Sequence, residues 1–213
     1  MKKRRSPEEM HLSPLRRRWI AIGLLLLAPL AGCAPDPNAG LPRTLPPVEV
    51  YFSPHGGCTE AVVREIQAAR SKILVQAYSF TSAPIAKALV EAHRRGVDVE
   101  VVLDRSQATE KYSSATFLLH AGIPVRIDAK HAIAHNKVMV FDDAAVLTGS
   151  FNFTDQAEKH NAENLLVLRD PQLARKYTVN WQEHWSHSLD YTGPKSEPRE
   201  LTTPRRREKA GRS

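Results

Sequence analysis

The sequence predicts an α/β domain built on a mixed, mostly parallel central sheet with helices on both faces. Three observations predict it. Strand-like runs rich in β-branched residues recur between Val48 and Leu168. Stretches with apolar residues at helical spacing separate the early ones, giving successive β–α–β units and a parallel sheet. Late in the chain, "HNKVMVFD" and "AVLTGS" follow one another with no helix between, so a hairpin makes the sheet mixed.

The elements follow in order. "VEVYF" (48–52) reads as a strand, and "CTEAVVREIQAARS" as a helix with Val62, Val63, Ile66 and Ala69 on one side. "KILVQAYSF" (72–80) is the second strand, and "APIAKALVEAHRRG" a helix closed by Gly96. "VDVEVVLD" (97–104) is the third strand, "SSATFLLHAG" a short helix ending at Gly122, and "PVRID" a further strand. The hairpin turns at Asp143 and Ala144, "ENLLVL" (163–168) adds a strand, and Pro171 starts a final helix. Trp181 and Trp185, four apart on that helix, are expected in the core.

The two ends are of different composition. Of 30 Lys/Arg and 23 Asp/Glu, residues 1–32 hold seven and two, and residues 195–213 hold seven and three. That leaves 16 basic and 18 acidic residues for 33–194, so the net charge of +7 is not a nucleic-acid footprint of the body. "RRRW" followed by "IAIGLLLLAPLAG" reads as an export signal, too short to span a bilayer comfortably. It ends in "LAGC", which resembles the lipobox of bacterial lipoproteins and implies lipidation at Cys33. Ala34 in place of an Asp points to an outer-membrane anchor facing the periplasm. The expected organisation is a signal peptide over 1–32, a proline-rich tether over 33–47, a domain over 48–194, and a basic tail over 195–213. With Cys33 set aside, Cys58 has no partner, so no internal disulfide is expected.

Residues 135–154 hold the chemistry. Side chains two apart in a strand share a face, so His135 and Lys137 point the same way as Met139 and Phe141. Asn136, Val138, Val140 and Asp142 point the other way. Ser150 and Asn152 are co-facial in the same manner, and Gly149 before them lets a backbone or ligand approach closely. Antiparallel pairing places the start of one strand beside the end of the next, so His135, Lys137, Ser150 and Asn152 converge. An imidazole beside a fixed cation, with hydroxyl and amide donors, suits a phosphate. His131 and His135 also stand four apart. Their segment reads as a strand entry and lacks the Glu of the metalloprotease helix, so no metal is assigned. His160 reads as a surface residue, and His55 with the following glycines as a helix-entry loop.

"HNKVMVFD" fits H-x-K-x4-D, the signature of the phospholipase D superfamily, and "GSFNFT", "ENLLVL", "AYSFTS" and "RRGVDVEVVLD" stand where that family has their counterparts. The chain resembles the family over about residues 48–192. It looks most similar to the small bacterial endonucleases that carry one motif per chain and act as homodimers. The resemblance implies that His135 attacks phosphorus and becomes a phosphohistidine. Lys137 and Asn152 hold the phosphoryl oxygens with Ser150 in support, and Glu163 accepts the other imidazole N–H. By its parity Asp142 is structural. His135 of the partner subunit protonates the leaving oxygen and then activates water, which requires a dimer. No metal or other cofactor is implied. The expected function is hydrolysis of phosphodiester bonds outside the cytoplasm, first in nucleic acid, alternatively in phospholipid headgroups. A third reading is a tethered lipoprotein that binds without catalysis, against which the full residue set speaks.

Overall fold

The structure, a computed structural model, describes residues 46–194. The signal peptide, Cys33, the tether up to Leu45 and the basic tail lie outside the described residues. The elements are β1 (Val48–Ser53), α1 (Cys58–Ala68), β2 (Lys72–Ala77), α2 (Ala83–Arg94), β3 (Asp98–Asp104), α3 (Ala115–His120), β4 (Val125–Asp128), β5 (Lys137–Phe141), β6 (Ala145–Gly149), α4 (Asp155–Lys159), β7 (Glu163–Leu168), α5 (Pro171–His187) and β8 (Leu189–Asp190). None of these helices is long and apolar enough to cross a membrane.

The eight strands of the described residues join one sheet in the order β1-β7-β6-β5-β2-β3-β4-β8. It is mixed and flanked by helices, as the alternating pattern implies. Parallel pairing is narrower than expected, being confined to β2–β3 and β3–β4. The other five adjacent pairs are antiparallel. The reason lies in the first crossover. β1 and β2 run in the same direction, as a helical connection requires, but β7, β6 and β5 stand between them. A crossover pattern gives the relative direction of two strands and leaves their adjacency open.

Strand periodicity sorts the core into two sides. Val75, Met139, Phe141, Leu147 and Leu165 face α1 and α2, where they meet Ile66 and Leu89. Leu74, Val138, Val140 and Val146 face the opposite way and are covered by Ala174 and Trp181 of α5. Trp181 is buried and donates its indole N–H to Val75 O at 2.9 Å. Trp185 stacks on it at 4.8 Å and lies half-buried under the Arg126 guanidinium. α5 begins where Pro171 needs no amide partner and where Asp170 accepts from Gln172 N at 2.7 Å and Leu173 N at 3.2 Å.

Several boundaries differ from the sequence reading. β2 stops at Ala77, three residues early, because the chain turns out of the sheet and Phe80 bridges to Phe153 instead. α1 ends at Ala68. The short elements α4 and β8 were not expected, since five and two residues show no period. The β5–β6 turn places Asp142 and Asp143 at φ of 54° and 53°, a region that Asp tolerates better than most residues. Asp142 also fastens the sheet. Its carboxylate accepts from Arg70 N at 3.0 Å, Ser71 N and Oγ at 2.8 Å each, and Lys72 N at 2.9 Å. Cys58 is buried at the start of α1, and burial pushes its thiol up to about 11, so it is no nucleophile at neutral pH.

Candidate active site

Strand register gathers most of the expected site residues at one end of the sheet. Ala77 pairs with Lys137, and Val138 with Thr148, so Lys137 sits one step before the β5–β6 ladder closes beside Gly149. Gly149 pairs with Leu165, and Ser53 with Glu163. His135, Lys137, Ser150, Asn152 and Glu163 therefore share the edge formed by the ends of β2 and β6 and the starts of β5 and β7. Asp142 lies at the far end of β5, bound to the start of β2.

His135 itself precedes β5, and its side chain is exposed while Lys137 is only 6% exposed. Tyr78 supports both. Its ring lies 4.5 Å from the His135 ring and 5.0 Å from Lys137 Nζ, and its amide donates to Asn136 O at 2.8 Å. Tyr78 is a site residue the motif reading did not single out, although it stands in the quoted "AYSFTS". The Lys137 ammonium donates to His135 O at 3.0 Å, which occupies one of its three N–H bonds. Burial pushes its pKa below the ordinary lysine value, and the Glu163 carboxylate opposes that shift.

On the β6 side, Gly149 has no room for a side chain. A Cβ there would stand 2.2 Å from Asn164 O. That close approach lets Ser150 Oγ accept from Asn164 N at 3.0 Å while Ser150 N donates to Asn164 Oδ1 at 2.9 Å. Two residues on, Asn152 is half-buried, and its side-chain oxygen has no hydrogen-bond partner among the described residues. Glu163 differs from expectation. Its Oε1 accepts from Asn161 Nδ2 at 3.0 Å, and Asn161 is held in turn by Ser53 Oγ donating to its carbonyl at 2.9 Å. The carboxylate acts on Lys137 through charge, while the His135 ring rests against Tyr78. His160 is exposed at the end of α4, and His55 is exposed before α1, its amide donating to Glu158 O at 2.9 Å.

An exposed imidazole and a buried ammonium with unspent donors stand at the same sheet end as the Asn152 amide, whose Nδ2 and not its Oδ1 is the group that can donate to a tetrahedral anion. The family model described as "Cardiolipin synthase, PLD-like domain" matches residues 62–185, more than half of the chain and a range that includes His135, Lys137, Ser150, Asn152 and Glu163. The chain belongs to the phospholipase D-like family. A phospholipase D of Rickettsia typhi is 45% identical over 134 residues, which is 63% of this chain and 66% of that protein. The mitochondrial cardiolipin hydrolase of Mus musculus is 33% identical over 161 residues, 76% of this chain and 68% of that one. The crystal structure of Nuc, a phospholipase D family member from Salmonella typhimurium, matches at a TM-score of 0.66 and 42% identity, over 68% of this chain and 98% of Nuc. NucT from Helicobacter pylori shares the fold at a TM-score of 0.63 and 24% identity, over 68% of this chain and 99% of NucT. The match spans just under two thirds of the Rickettsia typhi protein's length.

Proposed function

We propose that this phospholipase D-like protein hydrolyses phosphodiester bonds through a phosphohistidine on His135, with the backbone of nucleic acid as its first substrate. The observation that carries the reading is the exposed His135 imidazole above a buried Lys137 ammonium that has spent one of its three donors. His135 attacks phosphorus, forming a P–N bond as the P–O bond to the leaving oxygen breaks. His135 of the partner subunit gives that oxygen a proton. The same imidazole then takes a proton from water, whose oxygen attacks phosphorus and breaks the P–N bond. The sum is one diester plus water giving a monoester and an alcohol. Lys137 and Asn152 hold the non-bridging oxygens, and no step calls for a metal. With one H-x-K-x4-D per chain, the two imidazoles come from two chains. Lipidation at Cys33 would hold this dimer at the outer membrane, facing the periplasm.

An exposed nucleophile at an open sheet end leaves room for a long polymer, which supports that class. The phospholipid reading also has an observation behind it. Ile133, two residues before His135, is 60% exposed, an apolar side chain at the approach to the site. The test presents the full chain, with excess chelator, to supercoiled plasmid, RNA and phosphatidylcholine vesicles in parallel. Nicking that persists in chelator is the expected result. Choline release without nicking would assign the site to lipid, and a folded dimer that turned over nothing would leave only the binding role.

The charge coupling at Lys137 makes a pH prediction. The protonated amine is the form that holds phosphate, and Glu163 keeps it protonated against the effect of burial. Glu163→Gln removes that help, so Lys137 loses its proton at lower pH than in the wild type. The alkaline limb of kcat/KM against pH is expected to move toward lower pH. A limb that stayed in place would uncouple the two residues.

A further inference from the structure

We infer that Asp128, His131, His184 and His187 form a binding site for one divalent transition-metal ion of the zinc class, separate from His135. Asp128 ends β4 and is fully buried. His131 follows it in the loop to β5, and His184 and His187 stand three apart on the last turn of α5. His184 Nδ1 lies 2.7 Å, His131 Nδ1 2.8 Å and His187 Nε2 3.3 Å from the one oxygen Asp128 Oδ2. The four donor atoms all lie within 4.8 Å of one another. The three rings also crowd each other, with centroids 4.8, 5.2 and 5.4 Å apart.

Three ring nitrogens on a single carboxylate oxygen are more than hydrogen bonding explains. His184 and His131 make acceptable bonds, whereas His187 Nε2 is buried without one despite its approach. The other carboxylate oxygen, Oδ1, is already taken by Lys130 N at 3.1 Å and His131 N at 3.3 Å. Zinc bonds to imidazole and carboxylate of about 2.0–2.1 Å put tetrahedral ligands about 3.3 Å apart. To reach that spacing the contacts to Asp128 Oδ2, now 2.7–3.3 Å, would lengthen by up to about 0.6 Å, and the donor atoms farthest apart, now within 4.8 Å, would draw together by up to about 1.5 Å. Three imidazoles and a carboxylate are a donor set for zinc and its first-row neighbours rather than for calcium or magnesium. A cavity of about 440 Å³ beside the cluster, bordered by Asn180 and Glu183, gives an ion its way in.

The site faces away from the chemistry. Asp128 shares its face of the sheet with Arg126, which meets Trp185 of α5, whereas Lys137 has the parity of Met139 on the α1 side. Four protein ligands close a tetrahedron, which fits a structural ion more than a catalytic one. Its place gives it a job. The loop 129–136 that delivers His135 is fastened at Asp128 and again where Asp104 Oδ2 accepts from Ala134 N at 2.7 Å. An ion on His131, His184 and His187 would lock this loop to the end of α5.

The test strips the tagless full chain of metal and titrates it with Zn²⁺ and with Co²⁺. Bound metal is counted per chain, the visible Co²⁺ spectrum is recorded, and the melting temperature is followed. Wild type and His135→Ala are expected to bind one ion each, with a tetrahedral Co²⁺ spectrum. Zn²⁺ in hundredfold excess over its Kd should raise the melting temperature by roughly 5 °C or more. His131→Ala should weaken binding by about 100-fold or more, since losing even an outer partner of a ligand costs 10–100-fold. His131→Ala with His187→Gln should abolish it. The His131 side chain is 44% exposed, so the single variant decides the matter if the double one does not fold. A wild type that binds no ion, or a His131→Ala chain that binds as tightly as wild type, would overturn the site.

Discussion

His135→Ala is expected to lower turnover by about 10⁴-fold or more while leaving the melting temperature unchanged. The loss is large because the nucleophile opens the reaction and no neighbouring group can replace it. Cys58 is buried with its thiol held protonated, and Ser150 is engaged with Asn164. Stability is spared because the ring is exposed and touches Tyr78, while the link to Lys137 runs through the His135 carbonyl, which alanine keeps. Mixed dimers sharpen the result. If each working site needs His135 from both chains, co-expressing equal amounts of wild type and variant leaves about a quarter of the dimers active. Activity then follows the square of the wild-type fraction. A linear dependence would show that each chain works alone and would remove the partner's His135 from the mechanism. Wild type quenched in alkali during turnover should carry on His135 the phosphoryl group still esterified to the retained part of the substrate, and the variant none.

Much of this was legible in the sequence because the site is local. β5 and β6 are consecutive and antiparallel, so the period of two that sets Lys137 with Met139 and Phe141 also sets which ends meet. The Asp142 parity was readable for the same reason. What was not legible needed long-range information. The outward residues Val48, Val50 and Phe52 mark β1 as a strand without naming β7 as its partner. Tyr78 reaches His135 only because the chain leaves the sheet after Ala77, which an unbroken apolar run conceals. The sequence reading also paired His131 with His135, its neighbour along the chain. In space His131 meets His184 and His187, whose spacing of three on a helix was the available signal.

Gly149→Ala tests how far the site depends on the sheet beneath it. The added methyl would stand 2.2 Å from Asn164 O and 3.0 Å from Asn164 C and Oδ1, so backbone has to move. That carbonyl accepts from Ser150 N at 3.1 Å and Phe151 N at 3.2 Å, and displacing it strains both bonds. The expected cost is about 2–3 kcal/mol of stability, read from denaturant melts. The activity cost should be larger than folding alone explains. Ser150 and Asn152 ride on the displaced segment, and a misplacement of about 1 Å at a reacting centre can cost about 10²-fold. The sign of that second effect is checked at a temperature where the variant is fully folded. Asn164→Ala is the matched control, since it removes the Oδ1 that Ser150 N uses but keeps the carbonyl and the strand spacing. It should lose far less activity than Gly149→Ala. Equal losses would mean that the Asn164 amide, and not the close approach of β6 and β7, positions Ser150 and Asn152.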